Sequence, residues 1–314
     1  MDNLIFALNS TMPIFLLMVL GALFHKLGWM DDVLADKANK LVFQILLPVK
    51  IFQDLAQIDF AEVWDLKFLF FCFSVTFGCI LLAILISFVW KDASVRGEFV
   101  QASYRSSASL LGIAFISNIY GTSGMAALMV IGAVPLYNVM AVVVLTVMKP
   151  GNKGLGKDLL KKSLLGIVKN PIIISIVLGT LWSALRLPLG GIALKTVSNV
   201  GSISTPLGLM AMGASFRLSS AGKTLKPALL ASFMKLMGFG IVFLPLAIAL
   251  GFRQEELVAI LVMLGSATTV AGYVMAKNMG HEGSLTSTTV MLTTLFSAVT
   301  LTFWLWLVKS LGMV

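Results

Sequence analysis

Residues 170–179 read NPIIISIVLG, and residues 12–21 read MPIFLLMVLG. At an offset of 158 residues, Pro171 falls on Pro13 and Ile172 on Ile14, while Val177, Leu178 and Gly179 fall on Val19, Leu20 and Gly21. The same offset relates Pro206 to Pro48, so the match runs on through the next apolar stretch. One repeated proline means little in apolar sequence. Several matched breakers at a single offset mark a chain built from two related halves.

Hydrophobic residues make up 58% of the 314, charged residues only 12%, and mean hydropathy is +0.97. That is too little charge to cover a surface facing water, so the chain falls among membrane proteins and its bulk partner is the lipid bilayer. The net charge of +9 does not read as a nucleic-acid footprint. The lysines gather in one short loop between apolar runs, as insertion topology demands. Cys72 and Cys79 lie seven residues apart in one apolar run. That spacing puts them on one face of one helix, too far apart for a disulfide, and they read as small buried residues.

A membrane span needs roughly 20 apolar residues to cross about 30 Å of hydrocarbon. Ten candidates meet this, near 11–27, 38–57, 67–90, 98–119, 124–148, 165–185, 192–216, 227–251, 256–276 and 285–308. The longest loop carries Lys149, Lys153, Lys157, Lys161, Lys162 and Lys169 and is assigned to the cytoplasm. Alternation then puts 15 of the 23 Lys and Arg residues on the cytoplasmic side and 5 outside, with both termini outside. Five spans (1–148) precede the basic loop (149–169) and five (170–314) follow it. An odd number means that the second half enters from the opposite face. The expected fold is therefore all-α, with ten transmembrane helices in a 5+5 inverted repeat, an arrangement characteristic of secondary transporters.

Five stretches, in this order and spacing, carry a resemblance. They are NKLVFQILLPVKIF (39–52), RGEFVQASYRSSASLLGIAFISNIYG (96–121), AVPLYNVMAVVVL (133–145), LGLMAMGASF (207–216) and MLGSATTVAGYVMAKNMG (263–280). Over nearly its whole length the chain resembles the auxin efflux carrier family, which includes plant PIN proteins and bacterial malate and malonate permeases. The resemblance implies a scaffold of spans 1, 2, 6 and 7 that forms a homodimer, and a transport domain of spans 3–5 and 8–10. It also implies that spans 4 and 9 are broken crossover helices, with an organic anion held where they cross. The family usually has Asn at the break of span 4 and Pro seven residues later; Ser107 and Ala114 stand there. In span 9, Ala267 and Ala271 replace the usual Pro and Asn.

The residues themselves single out two segments, RSSASLLG (105–112) and GSATTVAGY (265–273), with Ser109 and Ala267 again 158 apart. Both concentrate hydroxyl and small residues mid-span. Interrupted helices there would offer N–H groups to an anion and carbonyls to a cation; close packing through small residues is the competing reading. The charges inside spans are Lys50, Arg105 and Lys235, all positive, while Asp54 and Glu98 lie at span edges. Arg105 borders the first break and reads as functional. Lys235, nine residues from Lys226, reads as snorkelling toward the cytoplasmic headgroups. For Lys50, structural and functional readings both stand. Tyr137 and Asn138, just after Pro135, either complete a polar pocket or bond carbonyls that the proline frees. The expected anion site is thus Arg105, Ser107, Ser109, Gly112, Tyr137, Asn138, Thr268, Thr269 and Gly272, with Lys50 as a second candidate charge.

No cofactor or metal is expected, since His25 and His281 have no ligand cluster around them. A coupling ion, Na+ or H+, is left open. An intramembrane enzyme would need a mid-span carboxylate dyad, Ser–His pair or metal cluster. A channel would need a charged ring or filter-like glycine run. The reading is a secondary transporter of a small organic anion in a bacterial cytoplasmic membrane; the alternative is a channel-like or sensor protein without coupled transport.

Overall fold

In hydrocarbon a helix satisfies its own backbone, and apolar runs without internal charge take that form. The computed structural model describes residues 2–57, 65–108, 116, 119–120, 124–151, 165–216 and 218–314, and no strand occurs among them. Helices run Asp2–Lys26, Leu66–Ser87, Gly124–Val147, Pro171–Ala184 and Ser284–Ser310. Five helical stretches are long and apolar enough to cross a membrane: Leu66–Ser87, Leu128–Val147, Thr224–Ala249, Gln254–Asn278 and Ser284–Ser310. Leu16–Lys26 and Pro171–Ala184 are shorter apolar helices. Starts are set by polar caps. Asp65 accepts from the Phe68 N–H at 2.9 Å, and Asn170 accepts from the Ile172 N–H at 2.9 Å with Pro171 opening the helix.

Sequence reading places the first span near 11–27. The structure corrects this: the helix begins at Asp2 and runs through Pro13. A proline costs the helix one N–H bond and does not forbid an upstream turn. Pro48 and Pro206 act more alike. The π turn Val42–Leu46 lies between Asp32–Leu41 and Leu47–Ala56, just ahead of Pro48. The helices Gly191–Ser202 and Ser204–Ser215 part at Ile203, just ahead of Pro206.

The helix packing repeats with the sequence offset. A β-carbon on Gly21 would fall onto the Met210 carbonyl, and one on Gly213 onto that of Met18. A β-carbon on Gly179 would lie 2.9 Å from the Phe52 carbonyl and 2.9 Å from Leu55 Cβ. Gly21 and Gly179 differ by 158, as do Phe52 and Met210, and Leu55 and Gly213. So the first helix of each half lies against the second helix of the other half, through the same glycine.

The remaining helices share one core. Phe68, Cys72, Phe99, Met129, Leu261, Leu264 and Leu301 belong to it. A second cluster joins Val42, Leu47 and Ile51 to Val270, Val274 and Val290 across the boundary between the two groups. Cys72 and Cys79 are free and buried. The stretch Gln254–Asn278 is 94% buried, against 39–61% for the other four long apolar stretches. This is the helix that must be hidden, because it is interrupted.

Gly21→Ala and Gly179→Ala should each destabilise the protein by about 1–3 kcal/mol through overpacking against backbone. Gly191→Ala, which faces open space, should not. Melting temperatures of the solubilised variants check this; equal melting for all three would remove the close approach.

Candidate functional site

Two helices stop inside the molecule. Arg96–Tyr104 ends as Arg105 turns extended (φ −64°, ψ 141°). Gln254–Gly265 ends as Ser266 turns extended (φ −76°, ψ 161°), and the chain resumes as the helix Val270–Asn278. These two helices start 158 residues apart, at Arg96 and Gln254, and end 161 apart, at Tyr104 and Gly265, so the first stops three residues earlier in the repeat. No proline is present at either described break. The breaks hold each other instead: the Ser107 N–H donates to the Ala267 carbonyl at 2.9 Å, and the hydroxyls of Ser106 and Ser266 bond directly.

A cavity of about 130 Å³ opens beside this contact. At roughly 10–15 Å³ per water-sized sphere, it holds about ten such spheres, enough for a small organic ion. Of the residues expected from sequence, Lys50, Arg105, Ser107, Tyr137, Asn138, Thr268 and Thr269 all line it. Gly272 sits behind the wall; a β-carbon there would lie 3.6 Å from Arg105 Cδ. Ser109 and Gly112 lie outside the described residues. Sequence reading missed Ser106, Asp54, Ser204 and Thr205, which also line the cavity. A signal existed for two of them, since Ser204 and Thr205 immediately precede the Pro206 break.

Arg105 is 4% exposed. Its Nη2 donates to Asn138 Oδ1 at 2.9 Å, and its Nη1 lies 3.5 Å from the Tyr137 carbonyl and 3.4 Å from Met275 Sδ. Among the described residues its Nε has no partner, and neither do Thr268 Oγ1 and Ser204 Oγ. No carboxylate pairs with this guanidinium: the ion pairs among the described residues are His25–Asp32 and Lys50–Asp54. Asn138 takes the polar-pocket role: the carbonyl that Pro135 leaves without a donor is that of Ile131, four residues before it, and Asn138 does not bond to it. Its Nδ2 donates to the Val134 carbonyl at 3.1 Å while its oxygen holds Arg105.

The other charges depart from the sequence reading. Lys50 Nζ lies 3.0 Å from Asp54 Oδ1, one helical turn on, so a carboxylate does line the cavity and engages Lys50. Glu98 is buried, and its carboxylate accepts from the N–H groups of Gly283 (2.8 Å) and Thr286 (2.9 Å) and from the Thr286 hydroxyl (2.9 Å), capping the helix Ser284–Ser310. Lys235 does not snorkel. It is fully buried, and its ammonium donates to the Met263 and Leu264 carbonyls at 2.9 and 2.8 Å, at the end of the broken helix. Arg105, which has no carboxylate partner among the described residues, thus shares the cavity wall with the hydroxyls of Thr268 and Ser204 and with the opening turn of Val270–Asn278.

A multi-pass helical protein with broken helices around a charged internal cavity belongs to the class of membrane transport proteins. The family model described as "Membrane transport protein" matches residues 6–305, and the chain belongs to this family, the auxin efflux carriers. No curated protein matches it.

Proposed function

We propose that the protein is a secondary transporter that moves a small organic anion, a mono- or dicarboxylate, across a bacterial cytoplasmic membrane by alternating access. The observation that carries this is Arg105: a buried guanidinium that faces a cavity and, among the described residues, has an unpartnered Nε and no carboxylate. Burying an unpaired charge costs several kcal/mol, and an anion entering the cavity offsets that cost. Ser107, Thr268 and Thr269 supply hydroxyls to orient it. The ten-span inverted repeat is supported by the glycine contacts that recur at 158 residues. In this reading spans 1, 2, 6 and 7 stay fixed and the remaining spans move as a body, so the cavity between them is exposed to each side in turn.

Anion affinity tests the site. Arg105→Ala should weaken binding by about 1.5–3 kcal/mol, roughly tenfold to a hundredfold, and Thr268→Val less. Asn138→Asp should abolish binding without lowering the melting temperature, because it gives Arg105 an internal carboxylate. Wild-type affinity in both Arg105→Ala and Asn138→Asp would remove the anion from this cavity.

Topology is tested by cysteines placed at Gly154 and after Val314. They should label from opposite faces of intact cells, Gly154 from the cytoplasm; labelling from one face would rule out ten spans. The scaffold should form a homodimer through spans 2 and 7, and a mass measurement in native-like lipid that returns a monomer would refute it.

A further inference from the structure

Lys235 does not touch the cavity, yet it is the most deeply buried charge outside it. The π turn Met234–Gly238 carries it, a local irregularity that re-aims a side chain and recurs at functional sites. Its ammonium sits on the carbonyls of Met263 and Leu264. These belong to the last turn of Gln254–Gly265, where the backbone dipoles leave a partial negative charge. In carriers with broken helices, such carbonyl ends coordinate the Na+ that drives uptake. Here two of the carbonyls that would take the ion are held by the protein's own cation. Among the described residues no carboxylate pairs with Lys235, so the helix end alone balances its charge.

A plain cap would not need that charge. One residue on from Lys235, the Leu236 carbonyl accepts from the neutral indole N–H of Trp304 at 3.0 Å. A neutral donor at position 235 could satisfy carbonyls in the same way without the several kcal/mol of desolvation that a buried ammonium costs. The charge itself is therefore the feature to explain. It lies one helix end away from Ala267 and Thr268, which line the cavity, and adds a positive charge behind the anion.

We propose that Lys235 is the resident cation of the crossing: its ammonium occupies the position a coupling Na+ would take, so the carrier binds its anion without Na+. This rests on the anion-carrier reading above, but its main test does not. Lys235→Ala deletes three carbons and the ammonium, and n-propylammonium replaces those atoms one for one. In choline buffer, n-propylammonium or Na+ should raise the melting temperature of purified Lys235→Ala by roughly 2–4 °C, and neither should move the wild type. A wild type stabilised by Na+, or a folded Lys235→Ala indifferent to both cations, would overturn the proposal. If Lys235→Ala does not fold, Lys235→Gln keeps neutral N–H donors on the carbonyls. It should fold and bind labelled malonate about tenfold more weakly than wild type, and unchanged affinity would overturn the proposal. Should wild type bind no carboxylate while the cation shifts appear as stated, the anion reading fails and the resident cation stands.

Discussion

A helix that stops inside hydrocarbon leaves backbone groups with no water to bond, and the site depends on how those groups are satisfied. At the end of Gln254–Gly265 the accounting is nearly complete. The Val262 carbonyl accepts from the Ser266 N–H at 3.1 Å, and those of Met263 and Leu264 accept from Lys235. Beyond the break the Ala267 carbonyl accepts from the Ser107 N–H, the Thr268 N–H donates to Thr293 Oγ1 at 3.1 Å, and Thr269 caps Ala271. None of this uses a proline. The breaks are sharp with alanine at 267 and 271 because side chains from neighbouring helices, not ring geometry, make the interrupted backbone tolerable.

The same accounting separates the charges. Glu98 is engaged by three donors at a helix start, Lys50 by Asp54, and Lys235 by two carbonyls. Arg105 has neutral acceptors and an Nε left over. Four buried or half-buried ionic groups thus differ less in burial than in whether the fold supplies a full set of partners. The group with an incomplete set, Arg105, faces the cavity beside the Lys50–Asp54 pair.

Packing decides what can move. The contacts of Gly21 with Met210 and of Gly179 with Phe52 bring backbone against backbone; such surfaces slide poorly, because any shift opens a void or a clash. The boundary beside the cavity is made of Val42, Leu47, Ile51, Val270, Val274 and Val290, side chains that present smooth apolar surface.

Apolar run length by itself determined the membrane class and an all-helical fold, because hydrocarbon thickness sets that pattern in one dimension. Clusters of small and hydroxyl residues marked both breaks, and Arg105 stood out because charge is rare mid-span. What sequence could not determine was which charges are engaged. Asp54 counted as a span edge until the helix placed it against Lys50 and the cavity. Lys235 read as snorkelling because its partners, carbonyls 28 and 29 residues on, carry no sequence signature. The change from 158 to 161 residues was equally invisible, since it lies in helix length: Arg96–Tyr104 has 9 residues and Gln254–Gly265 has 12. Only the tertiary structure decided that Arg105 lacks a counter-charge among the described residues, because the absence of a partner is a property of every neighbour at once and not of the residue.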